Sequence, residues 1–322
     1  MNMASPTPAA RTATEHRTLG SIFGFEWRYQ TRTPLFIIAC VMFFSLAFMA
    51  TTSEHVTVGV AKDNLNFNAG FLIFNSQFVF SIIAMLLSMV FAAGPITRDV
   101  QLRTAEMLYA TPLRPIPLLL GRFSAAYLVA LTAATCGLIG EAAGTFAWWL
   151  APERVQPFTW APYAYAFSTI LVPNIFLECA LFFSLAAWSR SAVSGYVAAV
   201  ALLGITMVAG ANTDQENLRI AALLDPFGYA AFGLATRYWS VYEKNSAIPE
   251  ITSLVLSNRA LWLGFAAATL AWVTASYKLN IDAVRKSKFE QQTTQVTALS
   301  VAPRGPSPAA RDARAGSSSS RR

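Results

Sequence analysis

Thr97-Arg98-Asp99-Val100-Gln101-Leu102-Arg103-Thr104-Ala105-Glu106-Met107-Leu108-Tyr109-Ala110-Thr111-Pro112 is a charged stretch set between two apolar ones, and its reading decides the fold. Residues 69–96 ahead of it carry no charge, and neither do residues 123–140 behind it. Charges at the centre of a bilayer cost about 2.5–3.5 kcal/mol each on insertion scales. A segment of this kind pinned between two crossings therefore belongs at the membrane surface. The local pattern predicts a short helix. Thr97 is placed to cap it, and Asp99 lies in its first turn, where a carboxylate is favoured. Asp99 and Arg103 are spaced i,i+4, Arg103 and Glu106 i,i+3, and Pro112 stops the helix. Leu102, Ala105 and Tyr109 share one face. A surface helix held by a span on either side suits mechanical contact with a soluble partner; a plain solvated connection is the competing reading.

The chain has 322 residues, 55% of them hydrophobic and 13% charged. Soluble domains carry about 25% charged residues, so the balance points to an integral membrane protein. Cys40, Cys136 and Cys179 all fall inside apolar runs, which argues for packing roles and against a disulfide framework or a zinc cluster. The polar, basic residues 1–32 do not read as a signal peptide, so the first apolar run is expected to remain as a span.

Six runs have the roughly 20 apolar residues that a crossing needs. They are residues 34–52, 71–93, 117–140, 166–188, 192–211 and 260–277, and the fold class expected is an all-α bundle of six transmembrane helices. Lysine and arginine placement sets its orientation. With the N-terminus in the cytoplasm, Arg11, Arg17, Arg28, Arg32, Arg98, Arg103, Arg114, Arg122, Arg190, Lys278, Arg285, Lys286 and Lys288 all fall inside. Both termini and the 97–112 helix are then expected to be cytoplasmic.

Leu19, Ile22, Phe23 and Trp27 recur at helical spacing with Arg17, Glu26 and Arg28 between them, which predicts an amphipathic helix in the inner interface. Phe146-Ala147-Trp148-Trp149-Leu150 is too short to cross and suits the outer interface, and residues 212–258 form the longest outer segment. Residues 1–18 and the Gln/Thr/Pro/Ala/Ser-rich residues 289–322 have too little apolar content to fold, leaving 19–288 as one domain.

These features together resemble the membrane subunits of type-2 ATP-binding-cassette (ABC) exporters. Such permeases have an inner interfacial helix, six spans and a cytoplasmic coupling helix between spans two and three that meets the ATPase. Asp99, Thr104, Glu106, Leu108, Thr111 and Pro112 match the coupling pattern of that family, while Arg103 stands where glycine is common. The resemblance implies coupling to the ATPase through Arg98, Asp99, Arg103, Thr104, Glu106, Leu108 and Pro112. Phe25-Glu26-Trp27-Arg28-Tyr29-Gln30, Pro173-Asn174, Asp225-Pro226-Phe227-Gly228 and Thr236-Arg237-Tyr238-Trp239 resemble bacterial permeases whose longer relatives carry a zinc aminopeptidase. No peptidase is expected here, because His-Glu-x-x-His is absent and the histidines are His16 and His55.

No Gly-x-x-x-x-Gly-Lys-[Ser/Thr] occurs, so an ATPase engine would have to be a separate chain. No catalytic residue, metal site or cofactor is expected, and no nucleic-acid partner. Glu178 reads as the one intramembrane carboxylate, either in a substrate path with Asn174 or as a protonated acid bonded to Asn75, Gln77 or a carbonyl. Pro173 is expected to kink the fourth span. The leading expectation is thus the permease subunit of an ATP-driven exporter, working with a cytoplasmic ATPase and a second copy or a sister permease. Two others compete with it: a non-transporting membrane scaffold, and an ion-coupled transporter using Glu178.

Overall fold

A computed structural model describes residues 8–62, 64–101, 114–191, 193–211 and 217–277, with side chains from Arg17 onward except at residues 100 and 101. Every regular element among them is helical. Six helices are long and apolar enough to cross a membrane. In chain order the helices are α1 (Pro8–Thr31), α2 (Pro34–Thr52), α3 (Gly70–Gln101), α4 (Pro115–Gly144) and α5 (Ala161–Ser189). They continue with α6 (Val193–Ala211), the short α7 (Leu218–Leu224), α8 (Tyr229–Ala235) and α9 (Val241–Ser246), and then α10 (Ser253–Ser276). Residues 102–113 lie outside the described residues, so the body of the expected surface helix does too.

The six expected spans are all there, mostly longer than their apolar cores. Thr97 does not start a new helix: α3 runs through it, and its hydroxyl donates back to the Ala93 carbonyl at 3.0 Å. A helix already in progress needs no cap, so the charged stretch begins as a direct extension of α3. The N-terminal helix starts at Pro8, within the segment expected to be unstructured. Its start fits the chemistry, since a proline is tolerated in the first turn and residues 9–19 contain neither glycine nor proline.

The fourth span adapts to Pro173 by a change of winding. Proline has no N–H to offer the carbonyl four residues back. The turn before it widens into a π-helix over Phe167–Leu171, with the Val172 N–H bonded to the Phe167 carbonyl.

Helix α4 is the centre of the bundle. α2 runs along one side of it, α1 crosses its first turns, and α3 and α5 pack behind. The α2–α4 contact depends on small residues. A Cβ at Gly140 would lie 2.4 Å from the Phe44 carbonyl oxygen, and one at Gly144 would lie 2.8 Å from Thr51 Cβ. Gly140→Val is therefore expected to push α2 off α4 and to cost at least about 1–3 kcal/mol through overpacking. Gly204→Val, where a Cβ meets nothing within 4 Å, is the control for the helix itself. The unfolding midpoint in mixed micelles checks the difference, and equal midpoints would mean that α2 does not approach α4 so closely.

Phe43, Phe80, Phe123, Phe182 and Phe183 fill the main core between α2, α3, α4 and α5. A second cluster, with Phe74, Phe78, Ile170 and Phe232, closes the end opposite α1. By contrast, α2, α6 and α10 leave most of their apolar surface outward, with Ile38, Val41, Val197, Val200 and Trp272 all exposed. Outward-facing apolar stripes on long helices are what a bilayer covers.

Candidate functional site: a buried ion cluster and two intramembrane carboxylates

At the end of the bundle where α1 lies, four charged side chains from three helices meet. Arg98, in the last turns of α3, donates to Glu26 of α1 at 2.6 Å. Arg122 of α4 stands 3.5 Å from the same carboxylate oxygen and 2.7 Å from Asp99. Glu26 is 1% exposed, and Asp99 and Arg122 are each 8% exposed. The Arg98 guanidinium also lies over the Tyr29 ring, 4.2 Å from its centroid. Two arginines and two carboxylates balance in charge. Burial of such a group is tolerable only with that pairing.

This arrangement adds a packing role to two residues of the expected coupling surface. Arg98 and Asp99 were expected to face an ATPase, with Asp99 paired along the helix to Arg103. In the structure they also reach inward to α1 and α4, where Glu26 and Arg122 are themselves buried charges. Arg103, Thr104, Glu106, Leu108 and Pro112 lie outside the described residues. Glu26 and Arg122 were missed as site residues. A signal for Arg122 existed, since it is a lone charge inside an apolar run and such a charge demands a partner.

A correction concerns the membrane interior, where Glu178 was expected to be the one carboxylate. α4 continues to Gly144 and so takes in Glu141, a second carboxylate at spanning depth. Its Oε2 accepts from Gln77 Nε2 at 2.9 Å, and Oε1 accepts from the Ser76 hydroxyl. Gln77 thus serves Glu141 rather than Glu178, and Asn75 donates to the Phe71 carbonyl at 2.7 Å. Glu178 on α5 is fully buried beside the Ser88 hydroxyl, and among the described residues neither of its oxygens has a partner in good hydrogen-bond geometry.

Asn174 is also fully buried, and its Oδ1 accepts from Arg259 Nη1 at 2.6 Å. Arg259 was expected to lie just before the sixth span, but α10 starts at Ser253 and carries it into the helix. The same guanidinium packs against Gly228, whose φ of +77° and lack of a Cβ are both required; a Cβ there would sit 1.7 Å from Arg259 Nη2. Asp225 accepts from the Phe227 and Ala230 N–H groups at 3.1 and 2.8 Å, and Asn258 donates to the Asp225 carbonyl at 2.8 Å. The Asp-Pro-Phe-Gly stretch is therefore a turn that fastens α8 to α10. Asn174 joins this structural network, and Glu178 has no bond to it.

Also at the end opposite α1, Lys62 is buried and donates to the Ala50 and Ser53 carbonyls at the end of α2. A cation suits that helix terminus. Burial first, and then Arg154, push its pKa down from 10.5 to about 8, while Glu54 opposes. The unfolded chain then holds the extra proton between about pH 8 and 10.5, so stability should rise with pH across that window. Unfolding midpoints at either end of it test this, and Lys62→Met should abolish the rise.

Among the described residues, no group of three or more His, Cys, Asp or Glu side chains could hold a metal ion. The fold and its polar interior define a multi-pass helical membrane protein. No protein-family model matches the chain, and no curated protein matches it.

Proposed function

We propose that this chain is the permease subunit of an ATP-driven exporter of the ABC type, coupled to a separate cytoplasmic ATPase through residues 97–112. The observation that carries this reading is the Glu26–Arg98–Asp99–Arg122 cluster. It ties the root of the surface segment to α1 on one side and to α4 on the other. A force applied to residues 102–113 would reach both helices without first bending α3, as a coupling element requires. Closure of an ATPase dimer would then shift this bundle against a second copy or a sister permease. The orientation that goes with the reading places both termini in the cytoplasm of a bacterial inner membrane.

One feature favours an ion-coupled transporter as second reading: Glu178, buried within a spanning helix with only the Ser88 hydroxyl beside it among the described residues. Glu141 weakens it, since a second carboxylate fully held by Ser76 and Gln77 is a structural use of the same residue type.

Topology tests the proposal first. In a cysteine-free background, cysteines at Asp63 and Asn245 should react with impermeant thiol reagents in intact cells. Those at Gln101 and Ser287 should react only after permeabilisation. Labelling of Gln101 from outside would remove both the orientation and the coupling role.

A further inference from the structure

The fold uses only one face of α1. Glu26 and Gln30 are buried on the side facing α3 and α4. Ser21, Phe25, Arg28, Tyr29 and Arg32 form an exposed stripe beside the ion cluster, with Phe25 61% and Tyr29 47% exposed and the Arg98 guanidinium at the edge of the stripe over the Tyr29 ring. Where this stripe meets the start of α2 there is a groove of about 810 Å³, lined by Arg28 and Arg32 and by no carboxylate. Neither arginine has an ion-pair partner among the described residues. Glu26, the carboxylate nearest them on the helix, points the other way and is held by Arg98 and Arg122. The floor is open, since a Cβ at Gly20 or Gly24 would meet nothing within 4 Å.

We propose that this groove binds one anionic phospholipid, its phosphate held by Arg28 and Arg32 and an acyl chain laid over Gly24 and the outward face of α2. Charge complementarity selects the headgroup, because a planar guanidinium presents two parallel donors to phosphate oxygens. Unpaired arginines at a membrane surface draw anionic lipid in the same way. Phe25 and Tyr29 are aromatic rings of the kind that settles at the boundary between headgroups and chains. The groove continues at Pro34 into the exposed apolar residues Ile38 and Val41 of α2, which supplies the track for a chain. The inference needs α1 to lie at a bilayer surface and does not depend on the transport reading.

Native mass spectrometry of the full chain, released from nanodiscs of equimolar phosphatidylglycerol and phosphatidylcholine, tests it. The wild type should keep one phosphatidylglycerol at collision energies that strip phosphatidylcholine. Arg28→Gln/Arg32→Gln should lower that bound fraction by at least about tenfold, as the loss of two cationic contacts predicts. If the double variant fails to fold, Gly24→Leu fills the floor without touching the charge and should give the same loss. Glycerol phosphate at millimolar concentration should not displace the lipid. Equal retention by wild type and variants, equal retention of phosphatidylcholine, or displacement by glycerol phosphate would each overturn the proposal.

Discussion

Replacing Glu26 by leucine should lower the unfolding free energy in mixed micelles by about 3–5 kcal/mol, because it leaves a buried charge uncompensated. Arg98 and Arg122 would share only Asp99, which Arg122 already contacts at 2.7 Å. Removing the excess charge as well should repair most of the damage. Glu26→Leu/Arg98→Leu leaves Asp99 and Arg122 as a neutral pair, so the double variant should be more stable than the single one. A coupling of that sign identifies a direct interaction between two groups. If the double variant were as unstable as the single, or less stable, the cost would come from packing around α1, and the cluster would lose its claim to hold the three helices together.

The reason for expecting a large effect is the depth of the group. Surface ion pairs contribute about 0–1 kcal/mol, and Arg154 with Glu54 at the other end is of that kind, the glutamate being 66% exposed. Glu26 at 1% exposure has no water to fall back on. The cluster also lies at the point where α3 runs toward residues 102–113. Its strength therefore bears on how stiffly that segment is attached, and with that on the proposed coupling.

The membrane spans were legible because lipid imposes one rule along the whole chain, so uncharged runs of sufficient length stand out. Residues 34–52 correspond to α2 without adjustment. Two expected spans, 71–93 and 117–140, stopped short of the charges that follow them. α4 goes on through Glu141 because Ser76 and Gln77 meet the carboxylate inside the bundle. α3 goes on through Arg98 and Asp99 because Glu26 and Arg122 meet them. A sequence displays a charge and its spacing along one helix, but the partner here comes from another helix, 72 residues away for Arg98 and Glu26. For the same reason spacing offered Asp99 only Arg103 as a partner, and Arg122 of α4 was not seen. Asn174 is the converse case, a polar residue in a span for which the sequence offered no partner. Arg259, brought inward by an early start of α10, gives it a structural partner.

The central claim, that residues 97–112 couple this chain to an ATPase, is tested most directly by reversing Glu106. It is the one carboxylate in residues 100–112. Reversing one member of a hydrogen-bonded interfacial charge pair costs about 2–5 kcal/mol. Glu153→Lys, an exposed charge at the opposite end, is the control. The measurement is co-purification of a P-loop ATPase with each full-length variant, together with the ATP hydrolysis that the permease stimulates. Glu106→Lys should reach the membrane at normal abundance yet lose the ATPase or its stimulated hydrolysis, while Glu153→Lys behaves as wild type. Retention of both by Glu106→Lys, or the absence of any such ATPase from the wild-type preparation, would contradict the account and leave a membrane scaffold as the better reading.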